Sequence, residues 1–322
     1  MLYSLCAVLL AGVYLLALGG CAAMPYRYGQ FHSQDAQATP EVVIAYGQPN
    51  KTLDRLGWLC GLPTRILPMN FKINSHDLSP ETVEKLTAYL QRNDLTDVYV
   101  YVNHYDPASQ WQRLKENKRI SPVWRYTAGV FSLAGYTLLP GRVLGGDQYN
   151  PFTNSLYLNS DVPAVVLDEA AVAKDIHSRK YPGSYTVVHD LPLISIFQQT
   201  RAVSDVLGYA REQEDWEVER EAYRVLYPRL AIESATLGSP FLSVWWGGPI
   251  LGAGGAAIGH VAGREVAARR GLEREQLAKA KPLPVNSSAT VQQASYVEID
   301  TAEPRSEVSR SERLPPVDTS NR

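Results

Sequence analysis

One helical stretch has an acidic residue where a hydrolytic metal site would have its first ligand. Val165–Gly183 reads VVLDEAAVAKDIHSRKYPG, and residues 168–172 align with the pattern H-E-x-x-H. In that pattern two histidines four residues apart bind one zinc ion from one helix face, and the glutamate polarises the zinc-bound water. Here Glu169 keeps the base position, whereas Asp168 and Val172 occupy the ligand positions. Since valine binds no metal, this stretch alone does not make a zinc site.

The elements that position this stretch can be predicted from periodicity and from helix-boundary residues. Ser79 as N-cap, Pro80 at the first helical position and apolar residues at helical spacing predict the first helix. Alternating and β-rich residues predict strands, and Pro182-Gly183 ends the helix that carries Glu169. The further predicted strands and helices are Asp97–Asn103, Asn154–Asp161, Val162–Tyr181, Ile196–Glu214 and Trp216–Leu230. This mixture predicts an α+β domain.

The simplest interpretation of the Glu169 helix is an ordinary amphipathic helix. Its apolar stripe consists of Val165, Val166, Ala173 and Ile176, and Glu169 lies within that stripe. A buried carboxylate needs a partner, because an unpaired buried charge is costly. The nearest cations in sequence are Lys174 and Arg179.

The flanks of this helix resemble a bacterial family of membrane-associated zinc metallopeptidases of the gluzincin type. In that family a G-G-D-H-Y-N-P-x-T-N stretch leads into a strand, followed by S-D-x-P-A and H-E-x-G-H-A-K-D. The resemblance covers roughly residues 58–270. The shared residues are Gly145, Gly146, Asp147, Tyr149, Asn150, Pro151, Thr153, Asn154, Ser160, Asp161, Pro163, Ala164, Glu169, Ala173, Lys174 and Asp175. The resemblance implies a zincin-like core, with a small sheet, the Val162 helix beneath it and the Ile196 helix crossing nearby.

The departures from the family pattern fall on the metal ligands. Asp168 and Val172 replace the two histidines, and the family's downstream glutamate falls at Gln199, with Arg201 as the other candidate. Gln148 replaces the histidine of the D-H-Y-N-P stretch. The resemblance therefore implies a degenerate member without zinc or another cofactor, in which Glu169 is a vestigial base.

Three functions remain open at this point. The preferred one is a membrane-anchored pseudopeptidase that binds a peptide or protein partner by β-addition to the strand Asn154–Asn159, taken as an edge strand, since strand pairing needs only backbone groups. A purely structural envelope lipoprotein would need no ligand. An active metal-dependent peptidase would need non-standard ligands, drawn from Asp168, Glu169, Gln199, His177 and His189.

The N-terminus resembles a bacterial lipoprotein signal. An uncharged apolar run ends in Leu18-Gly19-Gly20-Cys21, although no Lys or Arg precedes it. We expect a signal peptide at 1–20, lipidation at Cys21 and a tether at 21–40 before the zincin-like domain at 41–238. Diacyl and amide-linked chains bury enough methylenes for stable anchoring. This predicts a bacterial cell-envelope protein whose main domain lies outside the cytoplasm.

A second apolar segment follows the domain. Residues 239–263 contain no charged residue, and Gly255, Gly259 and Gly263 fall four apart, a spacing that lets helices approach closely in lipid. Two interpretations stay open: insertion into the membrane, or a Gly-rich hairpin packed on the domain. Residues 264–322 are expected to form a basic helix end and a disordered tail.

Composition excludes several other classes of protein. The 322 residues carry a formal net charge of -2, which argues against nucleic-acid binding because that needs a concentrated basic face. The chain has three cysteines, and two of them, Cys6 and Cys21, lie in or beside the N-terminal apolar run. A disulfide framework and a cysteine-based zinc site are therefore not expected.

Overall fold

The computed structural model describes most of the predicted domain and part of its flanks. The described residues are Tyr26 and the ranges 41–48, 51–138, 146–189, 191–236 and 247–280. The predicted signal peptide, Cys21, the tether apart from Tyr26, the start of the Gly-rich segment and the predicted tail from residue 281 lie outside these ranges. The described residues up to Glu275 belong to one compact unit, and Gln276–Ala280 belong to a second.

A four-stranded mixed sheet forms one layer of the fold. Its strands are β1 Ile44–Tyr46, β2 Tyr99–Val102, β3 Gln148–Asn150 and β4 Ser155–Leu158, in the spatial order β1-β2-β4-β3. β1, β2 and β4 run parallel to one another, and β3 pairs antiparallel with β4. The α+β class is confirmed.

The strand predicted as an edge is internal. β4 is hydrogen-bonded to β2 on one side and to β3 on the other, so its backbone groups are already used within the sheet. The edge beyond β4 is β3, a strand that the sequence patterns did not predict. The chain reverses between β3 and β4 at Asn154, whose φ of 51° lies in the left-handed region that asparagine tolerates.

Helices make up most of the rest of the described structure. In chain order they are α1 Lys51–Cys60, α2 Leu62–Ile66, α3 Pro80–Arg92, α4 Pro107–Glu116, α5 Pro122–Trp124, α6 Val130–Leu138, α7 Pro163–His177, α8 Pro182–His189, α9 Pro192–Glu212, α10 Trp216–Thr236 and α11 Gly247–Ala280. A π-helical stretch, Arg125–Gly129, joins α5 to α6. The predicted helices are confirmed as α3, α7, α9 and α10, and Ser79 caps α3 as expected.

The helix that carries Glu169, α7, is buried on nearly all sides. Helices α3, α9 and α10 pack against it, and β3 and β4 also contact it. Val165, Val166, Ala173 and Ile176 are buried as predicted, but so are the residues between them. The prediction of an ordinary amphipathic helix is therefore wrong, because this helix lies in the core of the domain.

The glycine stripe brings two helices of this chain together. A Cβ at Gly255 would lie 2.5 Å from the carbonyl oxygen of Ala231, and a Cβ at Gly263 would lie 2.0 Å from that of Tyr223. Gly259 likewise faces Pro228. The stripe thus permits close packing of α11 on α10. No helix among the described residues is long and apolar enough to cross a membrane.

Candidate functional site

The acidic pair of α7 points into the interior. Asp168 is 3% exposed and Glu169 is 6% exposed. Both lie near the middle of α7, where α9 and α10 pack against the helix. Two adjacent buried carboxyl groups need a source of positive charge or protons, because burial disfavours the ionised form.

Arg229 on α10 supplies that positive charge. Its Nη2 lies 3.4 Å from Oε1 of Glu169, and its charge also acts on Asp168. Glu233, one turn further along α10, and Asp147, just before β3, complete the charged group. We call Asp147, Asp168, Glu169, Arg229 and Glu233 the Arg229 cluster. It contains four carboxyl groups and one guanidinium.

The Arg229 cluster is short of positive charge. Burial raises the pKa of Asp168, Arg229 opposes this, and Glu233 adds to it. Burial likewise raises the pKa of Glu169, and the surrounding carboxylates raise it further against the effect of Arg229. Burial acts to lower the pKa of Arg229, but these carboxylates outweigh it and raise the pKa, so Arg229 stays charged. The acidic groups are the members that can change protonation.

Hydrogen bonding within the cluster is incomplete. Oδ1 of Asp168 and Nη1 of Arg229 are buried, and neither has a hydrogen-bond partner among the described residues. The one hydrogen bond between Arg229 and Glu169, at 3.4 Å, is long for a charge-assisted contact. A buried donor or acceptor without a partner costs about 1–3 kcal/mol. The site is thus held in its arrangement at a cost in stability.

The predicted ligand positions do not form a metal site in the structure. Val172 is buried in the core, and Gln199 lies half-buried on α9, which packs along α7. Among the described residues, no hydrogen bond joins Gln199 to Asp168 or Glu169. Within the same residues, no group of three or more His, Cys, Asp or Glu side chains is arranged to hold a metal ion.

The two histidines considered as substitute ligands have other surroundings. His177 is at the end of α7, where Nε2 lies 3.0 Å from the hydroxyl of Tyr149 and 2.9 Å from Oδ1 of Asn154. Burial lowers the pKa of His177, and Arg119 lowers it further. The ring of His189 lies against that of Tyr185, with centroids 3.9 Å apart and the ring planes tilted by 42°. His177 is thus a hydrogen-bonded core residue.

The cations predicted as partners of Glu169 pair elsewhere. Nζ of Lys174 lies 2.6 Å from Oδ1 of Asp205 on α9. Arg179 pairs with Asp175 one turn earlier in sequence. The actual partner, Arg229, comes from a helix 60 residues away and was missed. Its signal in the sequence is an arginine and a glutamate four residues apart in the otherwise apolar stretch LYPRLAIE.

Residues that carried the family resemblance hold the connection between β3 and α7. Oδ1 of Asp147 accepts the backbone N–H of Asn159 at 2.7 Å and that of Ser160 at 3.0 Å. Asp161 accepts the hydroxyls of Ser79 and Thr82, each at 2.6 Å. Burial acts to raise the pKa of Asp161, but these hydrogen bonds outweigh it and lower the pKa to about 2. These residues therefore stabilise the fold by hydrogen bonds that need no metal ion.

A small cavity lies at the start of the edge strand β3. Its volume open to water is about 10 Å³, room for about one water molecule, and its lining is mainly aromatic. The lining residues are Tyr101, His104, Tyr136, Gly146, Gln148, Tyr157 and Asn159. Because Gln148 belongs to β3, a chain beside this strand would pass next to the cavity.

Comparison with known proteins gives no relative. The chain matches no protein-family model, no curated protein and no solved structure.

Proposed function

We propose that this chain is a catalytically inactive metallopeptidase-like protein, anchored by Cys21 at the bacterial cell envelope, that binds a peptide or protein partner. The observation that carries the proposal is the contact of Arg229 with Glu169. A general base that activates a metal-bound water needs the metal beside it. In this chain the cation beside Glu169 is a guanidinium, which binds no water for attack.

Two further points support the loss of catalysis and the retention of the scaffold. Asp168 and Glu169 are buried, so a substrate would not reach them without a rearrangement of α10. The framework residues Asp147 and Asp161 keep structural hydrogen bonds. A zincin-like core would thus survive selection for folding and binding after the metal ligands were replaced.

The partner site that we propose is the edge strand β3, not β4. Strand addition requires an edge with free backbone groups, and among the described strands β3 is the last on its side of the sheet. The aromatic residues that line the small cavity beside Gln148 lie next to this edge, so they would contact a partner strand there. A purely structural envelope lipoprotein and a peptidase with non-standard ligands are the alternatives.

Metal analysis of the dialysed full chain tests this function. We expect no stoichiometric zinc in the natural chain. The triple variant Asp168→His, Val172→His, Gln199→Glu should bind zinc weakly, because Arg229 repels a second cation. Adding Arg229→Ala to the triple variant should strengthen zinc binding. Stoichiometric zinc in the natural chain would overturn the proposal in favour of an active enzyme.

A further inference from the structure

Tyr26, within the predicted tether, is packed on the domain. Its hydroxyl donates to Oδ1 of Asn93 at 2.6 Å, and its ring centroid lies 5.5 Å from that of Tyr209. Nζ of Lys174 lies 4.1 Å from the same ring centroid, within the range of a cation–π interaction. Residues from α7, α9 and the C-cap of α3 therefore hold this one side chain.

The backbone at Tyr26 is seated as closely as the ring. A Cβ at Gly208 of α9 would lie 3.1 Å from Cβ and 3.2 Å from Cα of Tyr26. The absence of a side chain at Gly208 thus lets the backbone of Tyr26 lie directly against α9. Ring and backbone contacts together define a fixed point in a segment that the sequence predicted to be a free tether.

Tyr26 lies only five residues after Cys21, so the domain is held close to that cysteine. Five Cα–Cα steps separate Cys21 from Tyr26, which span at most about 18 Å when fully extended. This step rests on the proposed lipidation of Cys21, which would put that residue at the bilayer surface. The domain cannot then rotate freely at the end of a long tether.

We propose that Tyr26 orients the domain on the lipid bilayer, with the C-terminal ends of α3 and α9 turned towards it. These two ends are neighbours, since Nη2 of Arg92 lies 3.4 Å from Oε1 of Glu212. Asn93 and Tyr209, which hold Tyr26, lie at the same two ends. The partner of this surface is the membrane in which the lipid chains of Cys21 are inserted.

Energy transfer from two positions on α3 tests the orientation. The lipidated full chain, with Cys60→Ser, is reconstituted in phospholipid vesicles that carry an acceptor dye on the headgroups. A donor dye is attached to Arg92→Cys or, as the matched control, to Glu81→Cys. These exposed positions are 11 residues and about 17 Å apart on one helix. We expect higher transfer from position 92 than from position 81.

Variants of the clamp decide the outcome. Tyr26→Ala should abolish the difference between the two positions, and Gly208→Ala, which acts on the backbone contact, should reduce it. Tyr26→Phe should keep most of it, because only the hydroxyl contact is lost. Attached chains that show the same difference with Tyr26→Ala would overturn the orienting role alone. Chains that fail to attach in every variant would overturn the lipid anchor and this inference with it.

Discussion

The two ends of α10 each carry a buried ionic cluster, and the two are neutralised in opposite ways. Near the first end, Glu219 accepts hydrogen bonds from Nε of Arg211 at 2.9 Å, Nε of Arg270 at 3.0 Å and the hydroxyl of Tyr223 at 2.9 Å. Burial acts to raise the pKa of Glu219, but these donors outweigh it and lower the pKa. Two guanidiniums thus stabilise one carboxylate.

At the other end of α10 the ratio is reversed. Arg229 alone faces the four carboxyl groups of its cluster, and burial raises the pKa of both Asp168 and Glu169. The two clusters lie on one helix of the same core, so the difference is a property of the sites and not of the fold. A site that keeps an excess of buried carboxyl groups with raised pKa values, at a cost in stability, is typical of a position shaped by function. This agrees with the proposal that the Arg229 cluster derives from a metal site.

The largest effect should come from Arg229→Met. Removing the one cation leaves Asp168 and Glu169 buried beside each other, and breaking a buried ion pair by deleting one partner costs about 3 kcal/mol or more. We expect a loss of that order in the free energy of unfolding at pH 7, measured by urea denaturation. Arg224→Met, at an exposed position of α10, is the matched control and should change it by less than about 0.5 kcal/mol.

A small effect of Arg229→Met would contradict the assignment. It would mean that Asp168 and Glu169 take up protons at almost no cost, so that Arg229 is not needed to hold them.

The next largest effect should come from Glu219→Gln, which breaks the other cluster. An uncharged amide cannot neutralise Arg211 and Arg270. Its NH₂ group also cannot accept a hydrogen bond from their N–H groups. Hydrogen bonds to charged groups contribute about 1.5–3 kcal/mol, so we expect a loss of about 2 kcal/mol at pH 7 in urea denaturation. Glu217→Gln, two residues earlier and exposed, should have little effect. If Glu219→Gln and Glu217→Gln lower the free energy of unfolding equally, the two arginines do not stabilise Glu219 and the contrast between the clusters fails.

The contrast also shows what the sequence could predict. The start of α3 at Ser79 was predictable because a capping residue acts locally. The predicted end of α7 at Pro182-Gly183 was wrong: α7 ends at His177, and Pro182 begins α8, where proline suits the first helical position. β1 and β3 were not predictable, since three residues are too few for a period to be detected. The partner of Glu169 was not predictable either, because Arg229 reaches it only once α10 is packed on α7.

The glycine stripe illustrates a different limit. Gly255, Gly259 and Gly263 correctly indicated that a helix would approach another one closely. The same spacing suits a contact in lipid and a contact within one domain, and the sequence does not name the partner helix. In the structure that partner is α10, whose backbone at Tyr223 and Ala231 lies against the stripe. The local pattern thus predicted a close helix–helix contact but not which helix is the partner.

The free energy by which the buried carboxyl groups of the Arg229 cluster destabilise the folded chain should depend on pH. The carboxyl groups of Asp168 and Glu169 ionise near pH 4 in the unfolded chain but at higher pH in the folded one. The folded state therefore binds more protons, and its stability falls as pH rises from about 4 through the raised pKa values. The double variant Asp168→Asn, Glu169→Gln removes this effect. Relative to it, the natural chain should lose stability between pH 5 and pH 8, by about 1.4 kcal/mol for each group and each pH unit over which that group is ionised in the unfolded chain and protonated in the folded one.

Urea denaturation of both chains at several pH values measures that difference. Groups remote from the pair, such as His177, contribute equally to both chains and cancel, whereas Glu233 interacts with the pair and contributes to the measured difference. A difference that stays constant with pH would show that the two carboxyl groups are not perturbed in the folded state.

The smallest predicted effect separates the two carboxyl groups. Glu169 holds the contact with Arg229, whereas Oδ1 of Asp168 has no partner. Asp168→Asn should therefore raise the free energy of unfolding at pH 8 by about 1 kcal/mol, because it removes a buried charge and loses no hydrogen bond. Glu169→Gln should gain less, since it also weakens the ion pair. The exposed Asp77→Asn is the matched control. If Asp168→Asn instead destabilises the chain at pH 8, its carboxylate contributes to stability and the Arg229 cluster is not short of positive charge.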